Sequence, residues 1–112
     1  MSFSKVTSRI LEPVPSDRAF YFYADIGRPL GVIATGLKEF GSQLKTVEVA
    51  SLEFHLQRRD FEKWVQMLGD ADLANSLARL REGGLSGEKL RAELVRVVQT
   101  RVRQLQRTPS KK

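Results

Sequence analysis

The apolar positions change their period along the chain, and each change marks an element. Phe20, Phe22 and Ala24 alternate with Tyr21 and Tyr23, the period-two pattern of a strand with one buried face, and the aromatic content suits a pleated surface. Asp25-Ile-Gly-Arg-Pro-Leu-Gly31 carries two Gly and one Pro, which signals a turn, and Gly31–Ala34 reads as the return strand of a β-hairpin. A lone hairpin is marginal in water, so this one has to lie on helices or pair with another strand.

Beyond the hairpin the period becomes helical. Thr35 reads as a cap, and Leu37, Phe40 and Leu44 fall on one face of a helix that ends near Thr46 and is weakened by Gly41. Ser51–Arg58 supports two readings. Leu52, Phe54 and Leu56 alternate like a strand, whereas Leu52, His55, Leu56 and Arg59 fit a helical face; Ser51 as a cap and the composition favour helix. Asp60 reads as the cap of a short helix with Phe61, Trp64, Val65 and Leu68 inward, ended by Gly69. Asp70 or Asp72 starts another, with Leu73, Ala74, Leu77 and Leu80 inward, closed by Gly83-Gly84. Ser86 opens the last and longest helix, whose apolar face is Leu90, Leu94, Val97, Val98, Val102 and Leu105. Arg101 falls inside that apolar arc. Either the docked part ends near Val98, or Arg101 snorkels or pairs with an acid.

The expected fold class is therefore α+β: an N-terminal β-hairpin packed on a mostly helical domain of about four helices, with a long basic C-terminal helix. Residues 18–106 form the single domain. Residues 1–17, polar with Pro13 and Pro15, read as a flexible arm that Val6, Ile10 and Leu11 could fasten to the core. Residues 107–112 are a basic tail.

Composition narrows the function more than it identifies one. The chain of 112 residues supports one modest core, and its 41% apolar content excludes wholesale disorder. Without Cys there are no disulfides, thiolate metal sites or Cys nucleophiles, and a single His argues against zinc; no cofactor is expected. No apolar run is long enough to span a membrane and no signal-peptide pattern is present, so the expectation is a cytoplasmic protein. The net charge of +6 is unevenly placed. Residues 1–85 carry 11 basic and 11 acidic side chains, while residues 86–112 carry eight basic and two acidic. The whole excess lies in the last quarter, which points to attraction for polyanions.

With the segments placed, a resemblance follows. The Phe20-Tyr-Phe-Tyr strand, the Asp25–Gly31 turn, Ser51-Leu-Glu-Phe-His-Leu, Asp60-Phe-Glu-Lys-Trp-Val and Leu68-Gly-Asp occur in this order, and together they resemble a family of small uncharacterised prokaryotic domains. The family is associated with archaea and thermophilic bacteria, free-standing or appended to larger proteins such as glycosyltransferases. The likeness covers roughly residues 19–106. Arg59 departs from it, standing where relatives are expected to carry Gly. The resemblance implies fold unity and supplies no activity.

Three sets of residues carry candidate chemistry. His55, Arg58, Asp60 and Trp64 could converge, either as a polar site in which a carboxylate orients the His as acid or base and an Arg holds an anion, or as a structural junction between helices. The junction is the commoner outcome. Gly27-Arg-Pro-Leu-Gly31 has neither the length nor the placement of a phosphate loop, and Tyr21 and Tyr23 either stack on bases or cover helix surface. Lys89, Arg96, Arg103 and Arg107 fall within ~40° of one another on a helical wheel, an arrangement suited to neutralising phosphates. The expected function is a non-enzymatic interaction module, most concretely a nucleic-acid binder through this stripe. The alternative is a protein-docking accessory domain for a larger enzyme such as a glycosyltransferase, as the resemblance suggests. A small-ligand or catalytic site around His55, Arg58 and Asp60 ranks below both.

Overall fold

The computed structural model describes residues 9–107. Strands β1 (Phe20–Asp25) and β2 (Arg28–Ala34) form an antiparallel hairpin. Helices α1 (Leu37–Gln43), α2 (Val49–Gln57), α3 (Asp60–Leu68), α4 (Ala71–Glu82) and α5 (Gly87–Arg107) follow. The class is α+β as expected, with five helices after the hairpin among the described residues where about four were anticipated, and Ser51–Arg58, where helix was favoured over strand, lies in α2 as far as Gln57.

The hairpin buries Phe20, Phe22 and Ala24 and turns Tyr21 outward. The return strand starts three residues earlier than its composition suggests. Only Ile26 and Gly27 separate the strands, and the Pro-Leu-Gly stretch is strand interrupted by a bulge. Phe22 pairs with Val32 but Tyr23 pairs with Pro29, so Leu30 and Gly31 are looped out of the ladder. Pro29 is tolerated because this strand lies at the sheet edge.

Phe20 sits at the centre of the core, with ring centroids 4.8–5.7 Å from those of Phe22, Phe40, His55, Phe61 and Trp64. Edge-to-face arrangements dominate these pairs and favour aromatic packing beyond the area it buries. Gly41 has a packing role as well as a helix cost. A β-carbon there would lie 3.3 Å from Val98 Cγ1, so its absence lets α1 and α5 approach closely. Residues at the start of the described region also join the core: Ile10 is buried, and the Val14 N–H donates to the Thr35 carbonyl at 2.7 Å. Val6 and residues 108–112 lie outside the described residues.

Several expected caps are replaced by other contacts. The N-cap of α1 is Gly36, and Thr35 instead donates its N–H and hydroxyl to Glu39 Oε1, at 2.7 and 2.9 Å. Helix α2 begins at Val49 after Glu48, two residues before Ser51, whose buried hydroxyl has no partner among the described residues. Asp60 is the first residue of α3 and not its cap. Asp70 does cap α4, accepting from the Leu73 N–H at 3.0 Å. The same buried carboxylate receives Arg101 in a two-pronged pair at 2.8 and 3.0 Å. Arg101 therefore pairs with an acid, and α5 stays docked past Val98 through Val102 and Leu105.

The α2–α3 junction turns on Arg59. Its φ of 68° is the one left-handed value at a non-Gly position among the described residues. Arg58 closes α2 in right-handed geometry, and Arg59 reverses the chain to launch α3. Gly69 makes the corresponding reversal after α3, where the missing β-carbon removes the steric cost. A Gly expected in relatives at position 59 has the same explanation. Arg59→Gly is predicted to stabilise the fold by up to about 1 kcal/mol, the relieved left-handed strain offset in part by added freedom of the unfolded chain. Urea denaturation checks this; a loss of 1 kcal/mol or more would show that the Arg59 side chain holds the junction.

Candidate functional site

The structure brings His55, Arg58 and Asp60 into one hydrogen-bonded chain. The Tyr23 N–H of β1 donates to His55 Nε2 at 2.8 Å, so that nitrogen must present a lone pair. The ring proton is therefore on Nδ1, which donates to Asp60 Oδ2 at 2.8 Å. Arg58 Nε donates to the same oxygen at 3.1 Å, and its guanidinium lies 5.0 Å from the centre of the Phe54 ring. Trp64 does not join this chain. Its indole N–H donates to the Arg18 carbonyl at 2.8 Å and fixes the segment leading into β1.

The local sequence explains the arrangement. His55 lies in the last turn of α2 and Asp60 in the first turn of α3, so the tight reversal at Arg59 folds one against the other. A carboxylate at a helix start is also favoured by the helix dipole. His55 is buried, with both ring nitrogens occupied, so the neutral imidazole has no free lone pair to offer a substrate. Among the described residues, no three His, Asp or Glu side chains gather as a metal-ligating set.

Burial pushes the His55 pKa below its ordinary value, Arg58 works in the same direction, and Asp60 opposes them. A second proton would also set Nε2–H against the Tyr23 N–H, two donors facing each other. Between the lowered folded value and ~6.5, the ordinary value assumed for the unfolded chain, the folded state holds fewer protons, so acid favours unfolding. His55's contribution is complete above about pH 6.5 and is lost as the pH falls below it. Urea midpoints are predicted to fall from pH 7.5 to 5.5 by the equivalent of about 1 kcal/mol, and His55→Gln, less stable at pH 7.5, to show a flatter profile. Glu39 and Glu93 have pKa values lowered from 4.5, by hydrogen bonds from Thr35 and Arg96, and so titrate below this window. An equal slope in wild type and variant would contradict the assignment.

His55, Arg58, Asp60 and Trp64 line the base of a groove of about 700 Å³ between the hairpin turn and α3, walled by Tyr21, Tyr23, Ile26, Phe54 and Met67. No local period in the sequence reveals this groove, because its apolar walls come from a strand, a turn and two helices.

The basic stripe is a separate surface. Lys89, Arg96, Arg103 and Arg107 are exposed on α5, which turns Leu90, Leu94, Val98, Val102 and Leu105 into the core. Arg96 pairs with Glu93 at 2.6 Å, and Arg103 donates to the Thr100 hydroxyl at 3.3 Å. An exposed pair of this kind contributes little, so Arg96 can exchange Glu93 for another anion. Two cations from other helices flank the stripe: Lys38 of α1 shares a hollow with Arg103, and Arg79 of α4 shares one with Arg96. Neither was visible from the period of α5 alone.

Three further contacts hold this helix. The Gly87 N–H donates to Glu53 at 2.8 Å, Arg91 reaches the Leu44 carbonyl at 3.0 Å, and Arg101 engages Asp70.

With this geometry the chain falls in the class of small α+β domains in which one hairpin is pinned to a helical body. A family model described as a family of unknown function (DUF5752) matches residues 5–99, most of the chain. The protein belongs to that family. The match begins earlier than the expected likeness and ends inside α5, so it includes Lys89 and Arg96 but not Arg103 or Arg107. No curated protein and no solved structure matches. No helix among the described residues is long and apolar enough to cross a membrane.

Proposed function

We propose that the domain is a non-enzymatic interaction module that binds nucleic acid through its phosphates along the exposed face of α5. The observation that carries this reading is the outward presentation of Lys89, Arg96, Arg103 and Arg107 on one helix whose opposite face is locked in the core. Phosphate contacts need positive side chains held at intervals on a stable support, and they need no sequence-reading groups. The flanking Lys38 and Arg79 widen the positive strip beyond one helix. The neutral, doubly bonded His55 supports a structural role for that residue and Asp60. A docking role toward a larger protein, such as the glycosyltransferases suggested by the resemblance, is favoured by a different observation: the exposed apolar side chains gathered around the groove.

Fluorescence anisotropy of labelled DNA and RNA tests the phosphate reading. Four phosphate contacts predict that affinity falls roughly 50- to 150-fold between about 50 and 200 mM salt. Reversing two of them, Arg96→Glu with Arg103→Glu, should weaken binding and reduce that salt response to about tenfold, with the circular dichroism spectrum unchanged. Binding that ignores either the salt or the substitutions would refute the assignment.

A further inference from the structure

Four large apolar side chains are exposed among the described residues: Tyr21 at 46%, Ile26 at 79%, Ile33 at 36% and Met67 at 45%. Three of them, Tyr21, Ile26 and Met67, meet at the same groove. Single exposed apolar residues are ordinary, but a cluster drawn from separate elements around a concavity marks a contact surface. The groove is also held in shape. Tyr21 donates its hydroxyl to the Ser16 carbonyl at 2.7 Å, Trp64 holds the Arg18 carbonyl, and His55 ties β1 to the helices beneath. A preformed concavity spares a ligand the cost of ordering it.

Its charges specify the occupant. Arg18, Arg58 and Lys63 stand on the groove, with Asp17 and Asp60 as the acids. Asp60 is committed to His55 and Arg58, and neither Arg18 nor Lys63 forms an ion pair among the described residues. The balance left for a ligand is positive around apolar walls. We infer that this groove binds an acidic peptide segment of a partner protein, seating an aliphatic or aromatic anchor against Ile26, Tyr21 and Met67 while its carboxylates meet Arg18 and Lys63. Met67 suits such a contact because its flexible thioether adapts to differently shaped anchors. The volume of about 700 Å³ accommodates a short segment, and the open side leaves room for its chain to continue. The site shares no residue with the α5 stripe, so it can be present whether or not that stripe binds nucleic acid.

Panning a phage-displayed library of random 12-residue peptides against the full chain tests this inference. The expected result is enrichment of sequences with Asp or Glu flanking Leu, Ile, Phe or Trp. Synthetic versions should then lose at least tenfold in affinity to Ile26→Glu and to Lys63→Glu, and keep their affinity for the Arg96→Glu/Arg103→Glu protein. Both groove substitutions lie at exposed positions, and an unchanged ¹H–¹⁵N spectrum shows that the fold persists; Ile26→Ser replaces Ile26→Glu if it does not. Failure to enrich any sequence, enrichment of basic or purely polar sequences, or binding indifferent to the groove substitutions overturns the proposal. Single-stranded RNA displaced from wild type but not from Ile26→Glu would also overturn it, by assigning the groove to bases stacked on Tyr21 and Tyr23.

Discussion

The imidazole of His55 accepts from the backbone of a strand and donates to the first residue of a helix, and the rest of the fold is built around that bridge. A two-stranded hairpin has too little buried surface to stand alone, and each of its edges carries unpaired backbone groups. His55 Nε2 takes the Tyr23 N–H at the edge facing α2, while Nδ1 reaches the start of α3. One neutral side chain thus satisfies a strand edge and closes a helix junction. The same ring packs edge-on against Phe20, so the polar bridge and the aromatic core reinforce each other.

A second clamp works at the far end of the chain. Asp70 caps α4 and pairs with Arg101, whose position inside the apolar arc of α5 would otherwise put a bare charge against the core. Removing one partner of a buried pair costs far more than the pair contributes, because the remaining charge is left stranded. With α5 fixed in this way, its outer face is free to carry cations without penalty to the core. The stripe therefore lies outside the contacts that hold the fold, on the solvent side of a helix, whereas the groove is built on them, with His55, Asp60 and Trp64 lining it beneath the exposed Tyr21, Ile26 and Met67.

Much of this was legible in the sequence because local period and local chemistry agreed. The alternation at Phe20–Ala24, the inward face of α3 and most of the inward faces of α4 and α5 stand as read, with Leu80 and Val97 only partly buried, and of the two starts offered for α4 Asp70 is the cap. What failed did so where a residue had two uses. Thr35 and Ser51 look like caps, but Thr35 bonds Glu39 and Ser51 lies inside a helix that starts at Val49. The Arg28-Pro-Leu-Gly31 stretch reads as a turn because a bulge uses the same residue types. The pairing of Asp70 with Arg101 spans 31 residues and that of Tyr23 with His55 spans 32, distances over which no periodicity operates. The groove was invisible for the same reason: Tyr21, Ile26 and Met67 are unremarkable one at a time.

The bridge between strand and helix requires a neutral His55 with its proton on Nδ1. Because the chain contains a single His, a long-range ¹H–¹⁵N correlation spectrum of the imidazole reads that state without assignment ambiguity. A protonated Nδ1 and an unprotonated Nε2 are expected at pH 7, persisting unchanged as the sample is brought below pH ~6.5, where an exposed His becomes cationic. A proton on Nε2 at neutral pH, or a ring that titrates at its ordinary value, would contradict it, because neither state can accept the Tyr23 N–H.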